Sequence, residues 1–472
     1  MIFSSLTFLF AFLPAVLVIY FLAPKKFKNC ILLIFSLFFY AFGEPTYVLI
    51  MLGSITLNYI FGILISKYEN IKTKKYLLIS SVASNLLILV FFKYLVFLIT
   101  NINILFSSNL TVPEISLPLG ISFFTFQAMS YTVDVFRNDA KVQKNIFNLA
   151  LYISLFPQLV AGPIVRYQTV ADEIDDRTTT LNDFSYGVHR FVIGLAKKVI
   201  LANNLGLLSD KFFNIDIANL TVFGSWIGII AFSLQIFFDF AGYSDMAIGL
   251  GKMFGFNFLE NFNYPYISTS VSEFWRRWHM SLGSFFRDYV YIPLGGNKVS
   301  KAKFYRNIFI VWFLTGLWHG ASWTFIAWGL YFGLFITLEK VFILKLLNKL
   351  PKFTRHIYLL FVVIIGWVFF RADNFELSIN YLQTMFGGNL GVLTNLDTAI
   401  IFKDFFEVLI LGIILATPIV PYTINKIKTL KPNIITKDYY HAFHGLSLAI
   451  MTLTVIERLL VSSYNPFLYF RF

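Results

Sequence analysis

The segment Asn307–Leu338 reads NIFIVWFLTGLWHGASWTFIAWGLYFGLFITL, and none of its 32 residues is Asp, Glu, Lys or Arg. Such a segment is long enough to cross a bilayer, which takes roughly 20 apolar residues. It contains one histidine, His319, and an ionisable group at that depth is costly and usually faces a bundle interior or a water-filled path. Histidine is also the side chain best suited to moving protons near neutral pH. We therefore predict that His319 transfers protons inside a membrane protein, with a hydrogen bond to a neighbouring carbonyl as the alternative.

The composition of the whole chain agrees with a membrane protein. Its 472 residues are 57% hydrophobic and only 13% charged, whereas soluble domains carry about 25% charge. The net charge of +13 does not indicate a nucleic-acid partner, because the basic residues fall in short loops between apolar runs, as the positive-inside rule expects. The only cysteine, Cys30, excludes an internal disulfide and any cysteine-based metal cluster.

The loop charges predict the topology. Basic residues in Lys25–Lys28, Lys67–Lys75 and Glu260–Arg306 place these segments in the cytoplasm, whereas Thr100–Ser116 has no Lys or Arg and is expected outside. The apolar runs between such loops predict roughly 11 transmembrane helices, including one near Phe325–Leu338, with both termini extracytoplasmic. Residues 1–472 are interpreted as a single integral-membrane domain of the all-α polytopic class.

Several segments depart from a plain membrane span. Tyr186–Leu208 is apolar but contains four basic residues, so it is predicted to lie in the interface or to line a cavity. Phe156–Arg166 has Pro and Gly at membrane depth, which suggests a broken or re-entrant helix. Phe375–Met385 is a candidate amphipathic helix within an outer segment, Asp373–Asp404. Leu220–Leu250 is a long apolar run that is broken by Asp239, Gly242 and Asp245.

Two polar clusters accompany His319 as candidate sites. Arg276, Arg277 and Arg287 lie in a Trp- and Arg-rich stretch and suit phosphates or the acidic surface of a carrier; the alternative is a basic helix that meets anionic lipid. Asp239 and Asp245 follow a long apolar run and need His or Arg partners, so a structural ion pair is as good an explanation as catalysis. The chain lacks the Walker A, GxSxG and HExxH motifs, and no metal-ligand cluster is visible, so no metal site is expected.

Four motifs carry a resemblance to a known family. The chain resembles the membrane-bound O-acyltransferase (MBOAT) family over most of its length, most densely over residues 117–339. Within the family it is most similar to the bacterial branch of alginate and peptidoglycan O-acetyltransferase membrane subunits, and the teichoic-acid D-alanyl transfer proteins are more distant. The matching stretches, in chain order, are FPQLVAGPIVRY (156–167), FFDFAGYSDMAIGLGKMFGF (237–256), FWRRWHMSLGSFFRDYVYIPLGGN (274–297) and LTGLWHGASWTFIAWG (314–329).

The resemblance implies a fold and roles for individual residues. The expected fold is a ring of helices around a thin core with a central tunnel. His319 matches the family's catalytic histidine, and His279 matches a second one nearer the cytoplasmic opening. The residues expected to support the site or line the tunnel are Asp239, Asp245, Tyr243 and Trp318. The residues expected at the cytoplasmic mouth, where the donor binds, are Arg276, Arg277 and Arg287.

The resemblance also implies a reaction and its partners. We expect an O-acyltransferase of the bacterial cytoplasmic membrane that moves an acyl group, such as acetyl, from acetyl-CoA or another thioester to an extracytoplasmic polysaccharide. No tightly bound cofactor is expected, and the expected partner is an extracytoplasmic SGNH-type acyltransferase. Three alternatives stay open, namely a polysaccharide or lipid-linked glycan transporter, D-alanyl transfer to teichoic acid, and a non-catalytic scaffold. The residues leave open which polymer is modified.

Overall fold

The computed structural model describes residues 1–160, 162–388, 391–430, 438–462 and 464–468, and all regular structure in these ranges is helical. The chain forms two compact units. Unit 1 comprises Met1–Phe191 and Tyr243–Leu259, and unit 2 comprises Val192–Gly242 and Glu260–Phe472. The helices Leu181–Ala196 and Val222–Met253 contribute residues to both units.

Unit 1 begins with nine helices. In chain order these are α1 (Leu13–Leu22), α2 (Lys28–Gly43), α3 (Val48–Lys67), α4 (Ile71–Leu89), α5 (Leu95–Phe106), α6 (Ile121–Arg137), α7 (Ile146–Ser154), α8 (Phe156–Leu159) and α9 (Tyr167–Asp175). The break between α7 and α8 at Leu155, and the end of helix after Leu159, confirm the predicted broken helix. Ala161, within that predicted segment, lies outside the described residues.

The remaining helices continue the chain through both units. They are α10 (Leu181–Ala196), α11 (Asn203–Phe213), α12 (Val222–Met253), α13 (Val271–Arg277), α14 (Met280–Phe286), α15 (Lys301–His319), α16 (Trp323–Leu338), α17 (Leu344–Leu347), α18 (Lys352–Arg371), α19 (Phe375–Met385), α20 (Leu396–Leu415), α21 (Ile419–Leu430) and α22 (Asp438–Val461). The predicted amphipathic helix Phe375–Met385 is confirmed as α19.

Six helical segments of the described chain are long and apolar enough to cross a membrane. They are Lys25–Gly43, Val48–Lys67, Ile71–Phe106, Leu181–Phe213, Val222–Met253 and Lys352–Arg371. The protein is therefore a multi-pass membrane protein, as predicted. The predicted span near Phe325–Leu338 corresponds to α16, and the helix continues beyond it through a π-helical turn, Glu339–Ile343, into α17. The count of 11 spans stays a prediction.

The charges within the long apolar run do not end its helix. The run that contains Asp239 and Asp245 forms one continuous helix, α12, of 32 residues. Each carboxylate has a cationic partner within its own unit: Asp239 pairs with Lys198 at 2.6 Å in unit 2, and Asp245 pairs with Arg190 at 2.6 Å in unit 1. Because a buried charge is tolerated when it is paired and hydrogen-bonded, the helix can continue through both carboxylates.

The core of unit 2 is built from large aromatic side chains. Trp328 of α16 and Trp367 of α18 are almost fully buried, and their rings stack with centroids 6.0 Å apart. The Trp367 indole N–H donates to the Tyr266 hydroxyl at 3.2 Å, and that hydroxyl donates to the Ser233 carbonyl at 2.5 Å. The polar atoms of Trp367 and Tyr266 are thus satisfied inside the core, and Trp328 packs edge-on against His319.

Candidate active site

His319 is the last residue of α15, where a tight hairpin joins α15 to α16. The two helices approach at backbone contact, since a Cβ atom on Gly316 would lie only 2.5 Å from the Phe325 carbonyl oxygen, and one on Gly329 would meet the Trp312 carbonyl oxygen. The Ser322 hydroxyl caps α16 by accepting from the Phe325 N–H at 3.5 Å. The close contact at these small residues therefore fixes the backbone position of His319.

Aromatic rings surround the imidazole of His319, which is 6% exposed. The centroids of Trp318, Trp328 and Phe370 lie 4.9, 4.8 and 5.2 Å from the imidazole centroid, all edge-on. Such an arrangement keeps bulk water away from the imidazole, and a low-dielectric environment strengthens its interactions with any charge that develops nearby.

A small cavity of about 20 Å³ opens beside His319, with room for about one water molecule. Its polar lining comes from His319 and Asp239. The full lining of this His319 cavity is Ile236, Asp239, Phe240, Trp278, His319, Trp328, Trp367, Phe370 and Leu468. The sequence thus singled out both polar lining residues, and the structure brings them to the same cavity.

Asp239 is held on both of its oxygens. One oxygen pairs with the Lys198 ammonium at 2.6 Å, and the other accepts the backbone N–H of Leu468 at 3.1 Å. The Lys198 ammonium also donates to the Pro466 carbonyl oxygen. Asp239 therefore attaches the segment Tyr464–Leu468 to the His319 cavity, and among its described contacts the partner is a lysine rather than the predicted His or Arg.

The segment Tyr464–Leu468 has further polar attachments within unit 2. The Tyr464 hydroxyl donates to Asp210 at 2.6 Å, and Asp210 also pairs with Arg371 at 2.8 Å. Sequence reasoning missed this segment as part of the site. The available signal was Lys198, a charge in an otherwise apolar run, which indicated a buried partner without naming it.

His279 lies at the turn between α13 and α14, outside the candidate membrane spans. Its backbone is left-handed, with φ of 45°, and its Nδ1 lies 3.2 Å from the Asn261 side-chain oxygen. The Ser281 hydroxyl donates to the same oxygen at 2.9 Å. Burial lowers the pKa of the His279 imidazole to about 3, so the ring is neutral at physiological pH and is suited to hydrogen bonding.

Trp318 lies between the two histidines. Its ring centroid is 5.7 Å from that of His279 and 4.9 Å from that of His319. Phe240 makes a second link, because it lines the His319 cavity and packs edge-on against His279 at 4.5 Å. The two histidines predicted from the sequence therefore belong to one site, with aromatic rings between them.

A larger cavity of about 490 Å³ lies on the other side of His279. We call it the donor pocket, after the donor site that the family resemblance predicts at Arg276, Arg277 and Arg287, and its cations are Arg276, Arg287 and Lys340. Burial, and secondarily the charge of Arg276, lowers the pKa of Lys340. A bound anion would relieve that repulsion, so the donor pocket suits a negatively charged ligand. The other lining residues are Ser272, Trp275, His279, Met280, Leu282, Gly283, Ser284, Phe286, Val311, Trp312 and Thr315.

The third arginine of the predicted cluster has a different partner. Arg277 forms an ion pair with Glu273 at 3.0 Å, one helical turn earlier, and donates to the Asn263 carbonyl at 3.3 Å. Among the described residues that line the donor pocket, only Arg276 and Arg287 come from the predicted arginine cluster. Arg287 is itself paired with its neighbour Asp288 at 2.7 Å.

Buried Glu339 fixes the start of α13, the helix that carries Arg276. Its two carboxylate oxygens accept the backbone N–H groups of Val271 and Ser272 at 2.6 and 2.9 Å. These N–H groups belong to the first turn of the helix, where no intrahelical partner exists, and a negative charge is favoured there. Glu339 thus joins α13 to the end of α16, next to Lys340.

The other predicted residues lie in unit 1. Asp245 accepts from Arg190 at 2.8 Å, and the Tyr243 ring stacks on Phe3 with centroids 4.5 Å apart. Within the described part of the chain, no three His, Cys, Asp or Glu side chains are grouped to hold a metal ion.

Comparison with known proteins assigns the chain to a family. The sequence profile of the membrane-bound O-acyltransferase family matches residues 35–379. The chain is 40% identical to the probable alginate O-acetylase AlgI of Pseudomonas aeruginosa over 84% of this chain and 77% of that protein. It is 36% identical to the corresponding protein of Pseudomonas putida over the full length of both chains. It is 35% identical to the peptidoglycan O-acetyltransferase of Helicobacter pylori over 82% of this chain and 80% of that one. The chain therefore belongs to the membrane-bound O-acyltransferase family and is a membrane acyltransferase.

Proposed function

We propose that the protein moves an acyl group, in the first instance acetyl, from a cytoplasmic thioester across the membrane for O-acylation of an extracytoplasmic polysaccharide such as an alginate-like exopolysaccharide or peptidoglycan. The observation that carries the proposal is the pairing of two spaces, a water-poor cavity at His319 and a cationic pocket at His279. The names of the relatives support O-acetyl transfer to a polysaccharide.

The donor pocket supports a thioester donor that carries phosphate. A volume of about 490 Å³ falls within the range of small-molecule sites. Arg276, Arg287 and Lys340 supply cations for the phosphates of coenzyme A or of the phosphopantetheine arm of a carrier protein. His279, neutral and beside this pocket, is positioned to hold the donor or to relay a proton.

In the proposed reaction, His319 acts as the general base. It takes the proton of the acceptor hydroxyl while the hydroxyl oxygen attacks the thioester carbonyl carbon. The tetrahedral intermediate then collapses, the carbon–sulfur bond breaks, and the leaving thiolate receives the proton from the His319 imidazolium. A positioned base of this kind typically contributes a factor of about 10²–10⁴, and exclusion of water protects the thioester from hydrolysis.

Trp318 is the side chain whose movement we expect to open the path between the two spaces. The His319 cavity holds about 20 Å³, which is too small for an acyl thioester, whereas the donor pocket is large enough. Trp318 lines neither space but contacts His279, which lines the donor pocket, and His319, which lines the smaller cavity, so we expect rotation of its indole to join them. This path forms the inner part of the proposed tunnel.

The distribution of Lys and Arg supports the proposed orientation. We place the donor pocket on the cytoplasmic side of the inner membrane and both termini outside, in a fold of about 11 membrane helices around the tunnel. An extracytoplasmic SGNH-type acyltransferase is the proposed partner that passes the acyl group to the polymer. Transfer of D-alanyl instead of acetyl, glycan transport and a scaffold role are the outcomes against which the proposal is tested.

Substitution of His319 tests the proposed chemistry. We expect His319→Ala and His319→Gln to lower the rate of acyl transfer from a labelled thioester by about 10²–10⁴, while thermal stability in detergent changes little for the closer-sized Gln. His356→Ala is the matched control, because His356 bonds a backbone carbonyl at 3.0 Å outside both spaces and should keep full activity. Near-normal transfer by folded His319→Gln and His319→Ala proteins would exclude the catalytic role.

A further inference from the structure

A third cavity, of about 660 Å³, lies within unit 1. Three segments line it: the turn before α2 with the first residues of that helix, the start of α7, and the residues at the end of α9. We call it the basic cavity, because its cations are Lys25, Lys26, Lys28 and Arg177. The acyl-transfer mechanism proposed above uses none of these residues.

Hydrogen bonds and an aromatic contact fix the guanidinium of Arg177 in the wall of this cavity. Its Nε donates to the Phe254 carbonyl at 3.0 Å and its Nη1 to the Asn29 side chain at 2.7 Å, while the guanidinium stacks on Phe256 at 4.3 Å. Its Nη2 is buried and has no hydrogen-bond partner among the described residues. Because Nη2 has essentially no accessible surface, Arg177 contributes its fixed positive charge to the wall of the cavity rather than a free N–H.

The charges of the basic cavity favour an anion. Asp175 is its only acidic lining residue within the described chain, and Gln143 and Asn148 both donate to that carboxylate at 3.3 Å. Lys25 is offset by Asp176, at 2.6 Å. Lys26, Lys28 and Arg177 then leave more positive than negative charge around the cavity.

An apolar stripe begins in the cavity and runs along α2. Cys30 lines the cavity, and the residues that follow it at intervals of four are exposed: Ile34 by 59%, Phe38 by 54% and Phe42 by 57%. Residues four apart share one face of a helix, and α2 is one of the candidate membrane spans. Phe147, which also lines the cavity, is 68% exposed.

We infer that the basic cavity binds the phosphate headgroup of an anionic phospholipid, whose acyl chains lie along the Ile34–Phe42 face of α2. A free phosphate ion would use the same cations, but it has no use for the apolar stripe. Basic pockets at the cytoplasmic ends of membrane helices are a recurrent way to hold acidic lipid headgroups. Lys25–Lys28, directly after the first apolar helix, occupies that position.

Cys30 gives a direct readout of this site, because it is exposed, lines the cavity and is the only cysteine in the chain. The full-length protein is held in a zwitterionic detergent, and modification of Cys30 by the uncharged reagent N-ethylmaleimide is timed. A short-chain phosphatidylglycerol should slow the modification severalfold and to a plateau. Phosphatidylcholine of the same chain length, and inorganic phosphate, should leave the rate unchanged.

Variants of the two lysines make the test specific. In Lys26→Gln/Lys28→Gln, the phosphatidylglycerol concentration for half protection should rise roughly thirty-fold, from the usual contribution of a basic residue near acidic lipid. The matched control Lys72→Gln/Lys75→Gln removes two lysines that lie outside the cavity and should not change it. Equal protection by phosphatidylcholine, protection by inorganic phosphate alone, or an unchanged midpoint in the Lys26→Gln/Lys28→Gln variant would each overturn the assignment. None of these readouts depends on acyl transfer.

Discussion

At the scale of single residues, Lys198 and Asp239 place opposite charges beside the His319 cavity. Their side chains are 2% and 4% exposed, so both charges have left water, and each depends on the other for compensation. Asp239 also holds the Leu468 N–H, and Lys198 holds the Pro466 carbonyl. The pair therefore determines how the segment Tyr464–Leu468 lies against the cavity, in addition to any effect on His319.

Removing one partner of this pair should destabilise the protein strongly. We expect Asp239→Asn and Lys198→Met each to cost about 3–5 kcal/mol, the usual penalty for an uncompensated buried charge, seen as a large drop in the thermal unfolding temperature in detergent. The double variant Lys198→Met/Asp239→Leu should recover much of the loss, because no charge is left unpaired and only the Leu468 N–H and the Pro466 carbonyl lose a partner. Glu457→Gln, which breaks a solvent-exposed pair, should cause no measurable change. A double variant as unstable as the two single losses combined would contradict this account.

The sequence predicts site residues that stand out within their own segment, but not the contacts between residues that are distant along the chain. His319 and Asp239 were identifiable because each is a polar residue within an apolar run. Lys198 carried the same signal, but its pairing with Asp239 joins two helices, and no local pattern specifies such a contact. The N–H of Leu468 gave no signal at all, since backbone groups of an irregular segment show no sequence pattern.

At the scale of elements, the α15–α16 hairpin carries the site. Gly316 and Gly329 allow the two helix backbones to touch, and close approach at small residues is the common way to pack membrane helices. Because His319 is the last residue of α15, any separation of the two helices displaces its imidazole. Glu339 makes a similar junction between α16 and α13 on the donor-pocket side.

Gly316→Ala should therefore impair transfer without touching a reacting group. The added methyl would lie 2.5 Å from the Phe325 carbonyl oxygen, so α16 must shift, and a misplacement of about 1 Å can reduce the rate about a hundredfold. Gly53→Ala is the matched control, because nothing lies within 4 Å of the added atom. The measurement is the acyl-transfer rate of the two purified variants. Equal rates would show that the glycine contact does not position His319.

Sequence patterns predict elements of this protein unevenly. The amphipathic pattern of Phe375–Met385 predicted a helix, and α19 has the same bounds. The π-helical turns, such as Lys197–Ala202 and Glu339–Ile343, have no such pattern, because they interrupt a helix that continues on both sides. The continuity of α12 through Asp239 and Asp245 depended on distant cationic partners, so the apolar run alone did not predict it.

At the scale of the whole molecule, the loop charges make a prediction about orientation. Ser300 is exposed in the basic segment before α15, and Ser108 follows α5 in a segment without Lys or Arg. In a Cys30→Ser background, a membrane-impermeant maleimide should label Ser108→Cys in intact cells, and should label Ser300→Cys only after the membrane is permeabilised. The reverse pattern would place the donor pocket outside and exclude a cytoplasmic thioester donor.

The size of the outer segments bears on how the polymer is reached. The longest predicted outer segment, Asp373–Asp404, has 32 residues, and its regular structure in the described part consists of the short helix α19 and the start of α20. A segment of this size offers little surface on which to bind and position a long glycan. The His319 cavity, walled by aromatic rings, gives a polymer no room either.

We therefore expect the protein alone to be insufficient for acylation of its polymer. Expressed in a host that lacks its genomic neighbours, it should yield no O-acylated polysaccharide, and co-expression of an extracytoplasmic SGNH-type acyltransferase should restore ester formation, measured as alkali-released acetate. The same partner with the His319→Ala chain is the control, and it should restore nothing, because the acyl group would not reach the outer face. Acylation of added glycan by the purified single chain with acetyl-CoA would overturn the need for a partner. Hydroxyls of the polymer itself would then have to enter the protein and meet His319, which requires a far wider opening than the cavity of about 20 Å³ beside that residue.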